Sequence, residues 1–88
     1  MKITVNYFAQ ARRVAGVETE TREVRDDITV LELLQEDTRS PSFTKFFFGA
    51  DRKFNPTILV VVNELTVPPE TKLHDGDNVC FFTPMSGG

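Results

Sequence analysis

The sequence predicts an α+β fold, a small mixed sheet with a helix packed across one face. Three observations carry this. Period-two alternation marks both ends of the chain, at 2–8 and 78–83. Between them, Thr29 and Glu32 form a T-x-x-E capping signature that opens a run of helically spaced leucines. A continuous β-branched run then follows at 57–63. The order strand, strand, helix, strand, strand fits one layer of sheet and one of helix.

Each element has a local cause. In 2–8, Ile3, Val5 and Tyr7 share one side, while Lys2, Thr4, Asn6 and Phe8 share the other. Phe8 is thus an aromatic on the polar side of a half-buried strand. Residues 9–15 are rich in Ala and Arg and fit a helical turn ended by Gly16. Residues 17–25 suit a more polar second strand, joined to the first by a wide loop. The helix opened by Thr29 should bury Val30, Leu31, Leu33 and Leu34 and end before Ser40. Ser40-Pro41 then reads as a second helix start, with Ser as N-cap and Pro in the first turn. Phe43, Phe46 and Phe47 fall on one face of it, Gly49 should stop it, and the place of Phe48 is open. The run at 57–63 reads as a central strand covered on both faces. Leu65 to Val67 fits a short strand before Pro68-Pro69, and His74-Asp75-Gly76-Asp77 a turn. In the last strand Val79 and Phe81 should face the core, leaving Cys80 and Phe82 outside. If the first and last strands pair in the middle, the architecture is the ubiquitin-like β-grasp.

Composition sets bounds. Eighty-eight residues make one domain, expected to span 1–88 with a flexible tail at 84–88. A content of 40% hydrophobic and 26% charged residues suits a soluble protein, and no apolar run nears membrane-spanning length. A net charge of −3 argues against a nucleic-acid module. The lone Cys80 and an alternating N-terminus suggest the cytoplasm. Asp75-Gly76-Asp77 lacks the closing glutamate of a calcium loop. His74 and Cys80 lack partners at metal or nucleophile spacing, so no metal site is expected. Asp26-Asp27 and Glu18, Glu20 and Glu23 read as solvated edges and loops.

Two features remain. Phe8 and Phe82 would lie side by side on the outer face of a β-grasp sheet, where outward aromatics suggest docking. The chain then ends Thr83-Pro84-Met85-Ser86-Gly87-Gly88. Proline keeps the strand exit extended. Two glycines, lacking Cβ atoms, suit passage into a narrow active site. The reactive group there is the Gly88 α-carboxylate, inert until ATP converts it to an acyl-adenylate.

These residues resemble the MoaD family, the small sulfur-carrier subunits of molybdopterin synthase. The resemblance rests on Tyr7-Phe8-Ala9-Gln10-Ala11-Arg12 with Gly16, on Val62-Asn63, on Asp75-Gly76-Asp77-Asn78-Val79, and on the tail after Phe81-Phe82. It implies a carrier that is not itself an enzyme and binds no cofactor stably. A ubiquitin-activating-enzyme-like, MoeB-like partner would use ATP to adenylate Gly88, and a sulfur donor would make the thiocarboxylate. A large MoaE-like synthase subunit would receive Pro84, Met85, Ser86, Gly87 and Gly88, and sulfur would pass to a pterin precursor. The family's docking face maps onto Phe8, Arg12 and Phe82. Thr83-Pro84 stands where two prolines are common, and the Phe-rich segment 40–54 has no match in compact members. Two alternatives stay open: a ubiquitin-like modifier joined through Gly88, and a carrier for thiamine or tRNA thiolation. A plain binding module using the Phe8/Phe82 face is a third.

Overall fold

The computed structural model describes residues 1–83, so the expected tail at 84–88 lies outside the described residues. The elements are β1 (Lys2–Tyr7), α1 (Gln10–Ala15), β2 (Thr19–Glu23), α2 (Val30–Gln35), α3 (Pro41–Phe47), β3 (Leu59–Val62), β4 (Leu65–Val67) and β5 (Asn78–Phe82). The strands form one five-stranded sheet in the order β2-β1-β5-β3-β4. β1 and β5 are parallel neighbours at its centre, Val5 opposite Val79 and Tyr7 opposite Phe81, and the other pairs are antiparallel. The first and last strands therefore do pair in the middle.

Period two puts Ile3, Val5, Tyr7, Val60, Val62, Val79 and Phe81 on one face, where they are buried under Val30, Leu33, Leu34, Phe43 and Phe47 of the helices. Four aromatics form the centre of this core. Tyr7 stacks on Phe81 at 5.8 Å, and Phe43 and Phe47 meet them edge-on or tilted.

The helix starts follow the sequence. Thr29 Oγ1 accepts the Glu32 N–H at 3.0 Å, and the Glu32 carboxylate accepts the Thr29 N–H at 3.0 Å, closing the capping box. Ser40 Oγ accepts the Phe43 N–H, with Pro41 in the first turn. Gly16 caps α1 in the left-handed conformation, φ 78°.

One helix end differs from expectation. α2 ends at Gln35, before Ser40 as expected; beyond it the Asp37 carboxylate accepts the Arg39 N–H and its guanidinium, a local bond that competes with helix continuation. α3 is ended by Phe48, not Gly49. Phe48 is extended, buried, and bridged to Phe54, while Gly49 does not take the left-handed conformation. The expectation that 57–63 is covered on both faces is overturned. Leu59 is 52% exposed and Val61 half-buried, since the helices pack on the inner face alone.

The Asp75-Gly76-Asp77 turn clamps the strand ends at the pole opposite the β5 exit. Gly76, at φ 85°, donates its N–H to the Lys2 carbonyl at 2.7 Å, and Asp75 Oδ1 accepts the Lys2 N–H at 2.8 Å. Asp77 accepts the Asn63 side-chain amide at 2.8 Å and the His74 N–H at 2.8 Å. Asn63 Oδ1 accepts the Asn78 N–H at 2.9 Å. Two of the recognised motifs, Val62-Asn63 and the DGD turn, thus hold the sheet together rather than do chemistry.

Candidate functional site

β1 and β5 run parallel, so their aromatic pairs stack in consecutive layers. Tyr7 and Phe81 fill the core. One residue farther on, Phe8 and Phe82 stack on the outer face, 4.5 Å between centroids and 8° from coplanar. Phe8 is 39% exposed and Phe82 half-buried. Leu59 lies opposite Phe82 in the β3–β5 register, and Val61 opposite Cys80. Phe8, Phe82, Leu59 and Val61 make one apolar area on the uncovered face, at the end where the chain leaves β5. Sequence reasoning found the two aromatics but missed Leu59 and Val61, which it had buried. The available signal was that a β-grasp sheet carries helix on one side.

Around this area the polar groups are fixed. The Asn6 amide donates to Asn78 Oδ1 at 2.9 Å, to the Val79 carbonyl at 3.2 Å and to Cys80 Sγ at 3.5 Å. Cys80 is a free, half-buried thiol within this lattice. Arg12 lies one helical turn beyond Phe8 on α1, exposed, with its guanidinium 3.0 Å from Glu18. The structure therefore brings Phe8 and Phe82 together and leaves Arg12 on α1, paired with Glu18. Pro84, Met85, Ser86, Gly87 and Gly88 lie outside the described residues.

A charged network on the inner face holds the Tyr7 hydroxyl. The Tyr7 hydroxyl donates to Glu20 at 2.6 Å. Arg39 bonds Glu20, Asp37 and the Ala15 carbonyl, and lies 4.6 Å from the centroid of Phe43. Arg22 adds a second cation to Asp37 at 3.0 Å. Burial and the Glu20 carboxylate hold the Tyr7 phenol well above its ordinary range, so it stays protonated and donating. Burial pulls Asp37 upward, but the hydrogen bonds of Arg39 and the charges of Arg39 and Arg22 outweigh it, and its carboxyl lies below the usual range. The reading of Glu20 as a solvated edge carboxylate is overturned. Its alternation on β2 turns it inward, where Tyr7 and Arg39 need an acceptor.

Among the described residues no group of His, Cys, Asp and Glu is arranged to hold a metal ion, and no helix is long and apolar enough to cross a membrane.

The parallel central pair, the helix layer on one face and the bare apolar end on the other define a ubiquitin-like β-grasp protein. A family model described as the ThiS family matches residues 5–88, and the chain belongs to that family. The molybdopterin synthase sulfur carrier subunit of Escherichia coli (strain K12) is 35% identical over 86 residues, covering 98% of this chain and 99% of that one. SAMP1 from Haloferax volcanii superposes with a TM-score of 0.87 at 28% identity, covering all of both chains. A putative molybdopterin converting factor, subunit 1, from Pyrococcus furiosus gives a TM-score of 0.76 at 32% identity, over 97% of this chain and 99% of that one.

Proposed function

We propose that this protein is a sulfur carrier, the small subunit of a molybdopterin synthase, and that Gly88 carries the sulfur. The observation that bears most weight is the full-length similarity, at 35% identity, to a subunit of that name. The apolar area beside the β5 exit supports it, because a carrier must dock before its tail can act.

The chemistry follows from the tail. The Gly88 carboxylate attacks the α-phosphate of ATP on a MoeB-like partner, giving an acyl-adenylate and pyrophosphate. Hydrosulfide released by a donor adds to the acyl carbon and expels AMP, leaving a proton and a thiocarboxylate. That soft nucleophile then enters a large MoaE-like subunit, which orients it on a pterin precursor. Phe8 and Phe82 with Leu59 would form the buried anchor of each docking event, and Arg12 its polar edge. The carrier supplies no acid or base of its own, and the cycle belongs to the cytoplasm.

The direct test is reconstitution. Thiocarboxylated protein mixed with the large subunit and the precursor should form a non-covalent complex and return the carboxylate as product appears. Complex formation without sulfur loss would redirect the reading to another acceptor.

A second reading is favoured by a specific likeness. SAMP1 from Haloferax volcanii is a small archaeal modifier protein, and its fold fits this chain at a TM-score of 0.87. A modifier would use the same adenylate but transfer Gly88 to a lysine amine, giving an amide and free AMP. Covalent adducts in cells, ending in a Gly88–lysine isopeptide, would favour it over the carrier.

A further inference from the structure

The end of the sheet that bears the docking area also collects unpaired positive charge. β1 and β5 run parallel and finish together. α1 follows β1 and packs against α3. β3 is antiparallel to β5 and starts opposite Phe82, so the 48–58 connection comes to the same end. On these segments stand Arg12, Arg13, Lys45, Arg52 and Lys53, all exposed. Their carboxylates are Glu18, held by Arg12 at 3.0 Å, and Asp51, whose Oδ1 accepts the Lys53 backbone N–H at 3.0 Å. Arg13, Lys45, Arg52 and Lys53 have no ion pair among the described residues. Lys45 and Lys53 line one open groove together with Asp51, Phe54 and Asn55.

The opposite pole carries a cluster of carboxylates, beside the Met1 ammonium and Lys2. Asp75 and Asp77 are bound to the first strand and to Asn63, and Glu64 lies in the β3–β4 turn beside them. Asp26 stands at the same pole, where Val24 donates its N–H to the Met1 carbonyl. A chain of net charge −3 is therefore polarised, with five of its ten Lys and Arg on the segments at the end where β5 finishes.

Scattered surface cations would need no explanation. Gathered and unpaired ones repel each other, and a complementary surface relieves that repulsion while raising the encounter rate. The net negative charge and the carboxylates of the far pole oppose attraction to a polyanion such as RNA, whose binding modules are basic overall. A bounded acidic patch on a protein fits better.

We propose that this basic end steers the carrier onto an acidic rim surrounding the opening through which the adenylating partner takes the tail. The proposal rests on the carrier reading. The four free cations set the encounter and its orientation, while the Phe8/Phe82 area holds the complex once formed.

The test is the association rate of the full-length chain with its host's adenylating enzyme, measured by stopped flow across ionic strength. The triple variant R13E/K45E/K53E removes charge at exposed positions, and R13Q/K45Q/K53Q does so without reversal. The wild-type rate should fall roughly tenfold or more from low to high salt. The Glu variant should be roughly tenfold slower at low salt and converge with wild type at high salt, with the Gln variant between. Dissociation rates, melting temperature and adenylation at saturating enzyme should hardly change. Equal rates and equal salt slopes for all three proteins would overturn the proposal while leaving the carrier reading intact. So would unchanged enzyme association in a variant that loses binding to added tRNA. Failure of the wild type to be adenylated at all would remove the carrier reading, and the steering proposal with it.

Discussion

Arg39 holds together more of the molecule than any other side chain of its network. Its guanidinium joins Asp37, Glu20 and the Ala15 carbonyl while stacking on Phe43. Removing it leaves Asp37 to Arg22 alone and Glu20 to the Tyr7 hydroxyl, so Arg39→Leu should cost about 2 kcal/mol in a denaturant titration. Lys at this position keeps the charge but not the planar fork, and should recover only part of the loss. Full recovery by Lys would reduce the role of Arg39 to bare charge. None of this was legible beforehand. Glu20 lies 19 residues before Arg39, and only the β2 register brings it to the Asp37–Arg39 turn. Phe8 and Phe82 were legible, since each breaks the polar side of an alternating strand. Phe82→Asp should cost about 1 kcal/mol of stability through the lost stack. It should weaken partner binding by about 2 kcal/mol or more, as read by calorimetry. A melting temperature lowered by tens of degrees would instead make Phe82 part of the core.

Among elements, the helix starts and the Gly16 stop of α1 were readable, while the residues that end α2 and α3 were not. A start is a local code: Thr29 and Glu32 satisfy each other, and Ser40 precedes proline. Thr29→Ala should therefore cost about 1 kcal/mol, measured by chemical denaturation, whatever surrounds it. The ends depend on partners. Asp37 leaves α2 to meet Arg39 and Arg22, and Phe48 leaves α3 to pair with Phe54. The β3–β4 turn shows the same limit. Asn63 and Glu64 both take positive φ, 49° and 72°, without a glycine to mark the hairpin. Asn63 must stay, because its side chain ties β3 to the DGD turn. Glu64 has no such bond, so Glu64→Gly should stabilise the protein by about 1 kcal/mol. A lower melting temperature in that variant would show that the Glu64 side chain supports the turn.

At the scale of the whole molecule, the order of elements could be read but their pairing could not. Residues 4–7 and 78–81 meet across nearly the whole chain, and alternation fixes which side chains face inward without naming the neighbour. The one-sided cover of β3 is a consequence of that pairing, and so is the apolar end that it exposes. Acid stability is also a property of the assembled fold. The Asp37 carboxyl titrates lower folded than unfolded, so its contribution is complete above about pH 5 and is lost as pH falls through its lowered value. Stability measured against pH should drop on that acid side, and Asp37→Asn should flatten the drop while lowering stability at neutral pH. An unchanged acid limb in the variant would place the titrating group elsewhere. The functional claim concerns the tail, which the sequence announced and which follows β5 in the chain. Its most direct test is the intact mass of the protein after incubation with its activating enzyme, ATP and a sulfur donor. A gain equal to one oxygen replaced by sulfur, mapped to Gly88, is the expected result. No gain, with no adenylate trapped at Gly88, would contradict the sulfur-carrier reading.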